Sequence, residues 1–126
     1  MFAYNRAFDP PAPFVDVRVS RPVEPAPGQP LRAKLDTGAD LSCIPTTLTS
    51  QLGLLPARRV LVEGYDGEQT SVVTYTITLE VADARFRYLE VITIPEEYAL
   101  LGRDVLNSFY VDLRGPDLTF RMTVSP

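Results

Sequence analysis

The sequence predicts an all-β domain, a small barrel or sandwich of short strands. Three observations lead there. Val73, Tyr75, Ile77, Leu79 and Val81 alternate with Thr74, Thr76, Thr78 and Glu80, the period of two that gives a strand one apolar and one wet face. Seven prolines, from Pro10 to Pro30, exclude a helix from the first third of the chain because each lacks the N–H that a helix needs. Turn signals then recur between short apolar runs, and the 126 residues suit one domain with a single core.

Taken in order, residues 1–13 (MFAYNRAFDPPAP) are an N-terminal arm and residues 14–126 the domain itself. The arm extends a terminal-strand interface, blocks a cleft until removed, or frays as termini often do. Val15, Val17 and Val19 alternate with Asp16, Arg18 and Ser20, and Leu31, Ala33 and Leu35 make a second short strand. Residues 59–65 lead into residues 73–81 through Asp66-Gly67, a dipeptide that favours a tight hairpin because both positions accept positive φ. Residues 82–85 turn into a strand over 86–94, and Leu118, Phe120, Met122 and Val124 alternate at the end. Two stretches look helical, residues 46–52 and residues 103–109, the latter with Val105, Leu106 and Phe109 on one face and Asp104 as a possible N-cap.

Composition removes several function classes. There is no histidine and one cysteine, Cys43, so a Ser-His-Asp triad, a Cys-His dyad, a histidine metal site and a cysteine zinc cluster all lack parts. Neither metal nor cofactor is expected. Carboxylates, tyrosines and the single lysine, Lys34, remain for acid–base chemistry. A net charge of -4 argues against nucleic acid, whose binding rests on clustered Lys and Arg. Apolar runs fall far short of the roughly 20 residues that span a bilayer, so no membrane association is expected. The N-terminus has no secretory pattern, and a cytoplasmic location follows as the expectation.

Chemistry concentrates in two segments. Leu35-Asp36-Thr37-Gly38-Ala39-Asp40 is a strand running into a carboxylate, a hydroxyl and a glycine; Ala99-Leu100-Leu101-Gly102-Arg103-Asp104-Val105-Leu106 is an apolar strand that meets a glycine and turns into a short helix. Either alone is also a plausible strand exit. Gly102 follows Asp36 by 66 positions, with the long hairpin between them.

In that order and spacing, the sequence resembles the retropepsin-like aspartic proteases, the single-domain family that includes retroviral proteases and bacterial relatives. The resemblance covers residues 14–122 through LDTGAD, VEGYDGEQ and LLGRDVLN. It implies a small closed β-barrel of the acid-protease type, with a flap hairpin and one short C-terminal helix, assembled as a two-fold homodimer. Peptide hydrolysis without metal or covalent intermediate needs one carboxylate to deprotonate water and a second acid to protonate or polarise the carbonyl. This chain has a single Asp-Thr-Gly, so a second copy would supply the partner aspartate at the two-fold axis.

By the same resemblance Asp36, Thr37 and Gly38 are the catalytic set: Thr37 bonds across the dimer axis, and Gly38 lets substrate backbone approach. Ala39 lines the cleft and Asp40 bonds substrate backbone. Gly64, Tyr65, Asp66 and Gly67 contact substrate from the flap, residues 60–73, whose Asp66 and Glu68 depart from glycine-richer retroviral flaps. Leu101, Gly102 and Arg103 support the site, with Arg103 paired to Asp40. The function implied is an aspartic endopeptidase acting on peptide or protein substrates. An alternative of another class is a catalytically silent dimer that binds peptides or serves assembly; a third is a monomer active only inside a larger assembly.

Other features carry simpler readings. Cys43 is a small packing residue rather than a nucleophile, since no histidine can activate it. Arg58-Arg59 and Glu96-Glu97 are solvated charges. Two P-x-x-P spacings in residues 22–30 suit a stiff loop better than a polyproline ligand.

Overall fold

The alternation that identifies the strands also places the core. In the computed structural model, which describes residues 1–23, 28–64 and 66–126, Val15, Val17, Val19, Ile77, Leu79 and Val81 are all buried in one cluster. Strands β1 (Phe2–Asn5), β2 (Ala12–Ser20), β3 (Gln29–Leu35) and β4 (Cys43–Pro45) precede helix α1 (Thr47–Gln51). The long hairpin is β5 (Pro56–Glu63) and β6 (Gln69–Val81), followed by β7 (Ala84–Ile94) and β8 (Ala99–Leu101). Helix α2 (Arg103–Leu106), β9 (Tyr110–Arg114), a 3-10 turn (Gly115–Asp117) and β10 (Thr119–Thr123) complete the chain. Among the described residues, no helix is long and apolar enough to cross a membrane.

The strands hydrogen-bond in the order β5-β6-β7-β4-β8-β3-β2-β1-β10-β9, and an additional β6–β2 pairing joins two distant members. That pairing closes a circuit through β2, β3, β8, β4, β7 and β6, and these strands supply most of the apolar cluster. Closure has a cost for the expected wet face of β6. Thr74 and Thr78 are buried rather than exposed, because strands pair on both sides of β6 and neighbouring chain covers that face. Each hydroxyl finds an acceptor, as a buried polar group must: Thr74 donates to the Glu90 carboxylate at 2.7 Å, and Thr78 to the Pro22 carbonyl at 3.3 Å.

The N-terminal segment takes part in the sheet. Phe2 pairs with Phe120 of β10, and Tyr4 with Pro13 of β2. The Phe2 and Phe120 rings stack at 5.2 Å, while Phe8 packs on Phe14 and Tyr98 at 4.8 and 5.5 Å. Such aromatic contacts stabilise beyond simple area burial by about 0.5–1.5 kcal/mol each.

Three local expectations need correction. Helix α2 ends at Leu106 and is capped by Gly102, not Asp104. The Gly102 carbonyl accepts from Val105 and Leu106, while the Asp104 carboxylate turns away to Ser42. Shorter bonds from Ser108 to Val105 and from Phe109 to Leu106 then tighten the last turn and release the chain into β9. The hairpin tip is closed by Gly67 N–H to the Gly64 carbonyl, with Gly67 at a φ of +78° and Asp66 accepting from Glu68 N–H. Asp66-Gly67 is therefore the trailing half of a longer turn. The tight two-residue turn with positive φ at both positions lies instead at Ala82 and Asp83, φ 47° and 67°, joining β6 to β7.

Arg58 is also more than a solvated charge. Its guanidinium bonds both oxygens of Glu90 at 2.5 and 2.9 Å, fastening β5 to β7. The two P-x-x-P spacings involve Pro25 and Pro27, and the flap reading involves Tyr65; these three lie outside the described residues.

Candidate active site

Two strands deliver the two informative segments to one place. β3 and β8 run parallel with Leu35 opposite Leu101, so the residues that follow, Asp36 and Gly102, emerge side by side. Asp36 N–H donates to the Leu101 carbonyl at 2.9 Å and continues the ladder by one step. On its other side β8 pairs with β4, Leu100 opposite Cys43. The chain from β3 to β4, residues 36–42, must therefore arch over the end of β8.

Gly102 sits under that arch. A Cβ there would lie 2.8 Å from the Ala39 carbonyl oxygen and 2.9 Å from the carbonyl carbon and oxygen of Leu41, all backbone atoms that cannot swing aside. Its own N–H, buried, donates to the Ser42 hydroxyl at 3.0 Å. That hydroxyl donates in turn to the Asp104 carboxylate at 2.7 Å, whose other oxygen accepts Ser42 N–H at 3.0 Å.

Arg103 grips the outer side of the same arch. Its N–H donates to the Ala39 carbonyl at 2.9 Å, and its guanidinium donates to the Thr37 carbonyl at 2.7 Å and to the Asp40 carboxylate. The Arg103–Asp40 pair implied by the resemblance is present. Exposed, it contributes little to stability by itself; its effect is to hold the loop against α2.

Asp36 is held differently. Gly38 N–H donates to its Oδ1 at 3.0 Å, and Ala39 N–H donates to its carbonyl at 3.2 Å. Asp36 as a residue is half-buried, with Thr37 and Gly38 exposed beside it. Of the nearby acids, Asp40 is committed to Arg103 and Asp104 to Ser42. Cys43 is buried, and its thiol is pushed up to about 11 by burial first, then by the charges of Asp104 and Asp36. A thiol so placed stays protonated and unreactive near neutral pH.

A cleft of about 550 Å³ opens beside the loop, lined by Gly38, Ala39 and Asp40 on one side and by Val60 to Glu63 of β5 and the following Gly64 on the other. The described residues of the expected flap divide there: Gly64 lines the cleft, while Asp66 and Gly67, at the hairpin end, are not part of its lining. A larger cleft of about 620 Å³ lies elsewhere, against the Ala82–Asp83 turn, away from the loop. Ser42, Asp104 and Glu63 are site residues that reading the sequence passed over. The Leu100-Leu101-Gly102-Arg103-Asp104 strand exit offered only one hint, the Asp after Arg103.

The two segments thus place one half-buried aspartate, Asp36, on a braced Asp-Thr-Gly loop beside an open cleft. The family model described as "Aspartyl protease" matches residues 22–105, and the chain belongs to that family. Retropepsin-like structures share its fold. The retropepsin-like aspartic protease from Rickettsia conorii has a TM-score of 0.63 at 16% identity, covering 97% of this chain and 88% of that one. Simian foamy virus (mac) protease gives 0.57 at 21% identity, over 75% of this chain and 92% of the other. The EIAV protease complexed with the inhibitor HBY-793 gives 0.56 at 22% identity, over 76% and 86%. No curated protein sequence matches the chain.

Proposed function

We infer that the protein is an aspartic endopeptidase that works as a homodimer, with Asp36 of each copy forming a dyad at the two-fold axis. One observation carries this reading. Asp36 is left without a cationic or side-chain hydroxyl partner among the described contacts, while Asp40 of the same loop and Asp104 of α2 are both engaged.

Two carboxyl groups held close cannot both ionise, so they share a proton. The ionised one takes a proton from water as that water attacks the peptide carbonyl. The protonated one donates to the carbonyl oxygen, and collapse of the tetrahedral intermediate passes a proton to the leaving amine. Thr37, exposed beside Asp36, bonds across the axis. Gly38 leaves room for substrate backbone, Ala39 and Asp40 line its path, and Leu101, Gly102 and Arg103 keep the loop in place. The circuit of six strands serves as the small barrel, and the β5–β6 hairpin, with Gly64, Tyr65, Asp66 and Gly67, serves as the flap that closes over an extended peptide.

The dimer-borne dyad is tested by mixing protomers. Wild-type and Asp36→Asn protein are mixed and equilibrated at constant total protein concentration, and peptidase activity is followed as the variant's share rises. With random pairing, an equal mixture retains about one quarter of the activity, because only dimers with two aspartates work. Retention of one half would mean that each chain acts alone.

A further inference from the structure

The cleft beside the Asp36 loop has a mixed polar and aliphatic lining and charge of one sign. Ala39, Val60, Val62 and Ile92 supply apolar lining, and the two acidic side chains at the cleft are Asp40 and Glu63. Asp40 is neutralised by Arg103. Glu63, at the exposed end of β5, has no cationic partner among the described ion pairs. The surrounding hairpin adds to the imbalance, since from Val60 to Leu79 the chain carries Glu63, Asp66 and Glu68 and no Lys or Arg. A cleft that offers some aliphatic surface and an unneutralised carboxylate at its rim matches a side chain with a methylene stem and a cationic end.

We propose that Glu63 makes this cleft a subsite for an Arg or Lys side chain of the peptide substrate. The assignment rests on the endopeptidase reading for the word substrate, but its physical content is selective binding. A single charge pair in a partly screened cleft gives a preference of about three- to tenfold over a neutral side chain of the same shape. Salt weakens it, because the pair is open to solvent.

The test uses Asp36→Asn protein, so that peptides are bound without turnover. Two peptide pools with identical random flanks carry one fixed Arg or, in its place, citrulline, and bound peptide is quantified by mass spectrometry. The Arg pool is expected to be retained about three- to tenfold better, with the difference falling below about twofold when Glu63→Gln is added and in about 0.5 M NaCl. Equal retention of the two pools, a preference that survives Glu63→Gln, or no retention of either pool would overturn the proposal. Failure of the endopeptidase reading shows separately, as absence of cleavage by the wild-type protein.

Discussion

The Asp104 carboxylate accepts two hydrogen bonds from Ser42, one from its hydroxyl at 2.7 Å and one from its backbone N–H at 3.0 Å. The same hydroxyl accepts the buried N–H of Gly102. Three segments thus meet at one oxygen: the end of the Asp36 loop, the end of β8 and the first turn of α2. The carboxylate of a helix residue takes the place of a longer ladder between strands that are only three residues each.

Ser42→Ala removes that oxygen. It leaves Gly102 N–H unpaired in the interior and Asp104 short of one donor, so a loss of about 1–3 kcal/mol is expected. Denaturant unfolding of the two proteins measures it. Ser42→Thr, which keeps the hydroxyl, should recover part of the loss.

Gly102→Ala tests the close approach of backbone to backbone. The added carbon would lie within 3 Å of three main-chain atoms of the loop, and relieving that overlap costs about 1–3 kcal/mol. Because the loop carries Asp36, peptidase activity should fall further than stability alone accounts for. Activity at a temperature where the variant remains folded separates the two effects.

The Glu90 carboxylate ties β7 to β5 and β6 through Arg58 and Thr74. Those hydrogen bonds, Arg58 first and Thr74 second, hold it below the ordinary glutamate range. The stabilisation is therefore complete above that range and is lost as pH falls through the lowered value. Thermal melts at about pH 7 and pH 3 should show a smaller acid-induced drop for Glu90→Gln than for wild type. An equal drop would show that other carboxylates govern the acid response.

The core and the site loop were legible because both rest on local pattern. Alternation marks β2 and β6 wherever one face meets the core. The spacing of Asp36 and Gly102 is the spacing of their parallel register, Leu35 opposite Leu101. What escaped depends on partners distant in sequence. β9 alternates Val111 and Leu113 with Asp112 and Arg114 over too few residues to stand out, all five are exposed, and the strand exists because β10 pairs with it. β1 is four residues long and is held by Phe120 and Pro13. Thr74 and Thr78 read as wet until strands on both sides bury them. Asp104 reads as a cap because an acid near a helix start usually is one; only the fold brings Ser42 within its reach. At Ala82 and Asp83 the pairing of β6 with β7 imposes positive φ on residues that do not advertise it.

The central claim is that Asp36 activates water for peptide hydrolysis. The most direct measurement compares wild type with Asp36→Asn on a mixed peptide or denatured-protein substrate between roughly pH 4 and 7, where a shared-proton dyad works, at matched dimer concentration. Cleavage by wild type, absent in Asp36→Asn although the variant is folded and dimeric, is the predicted result. Equal cleavage by both proteins, or none by a dimeric wild type, would contradict it.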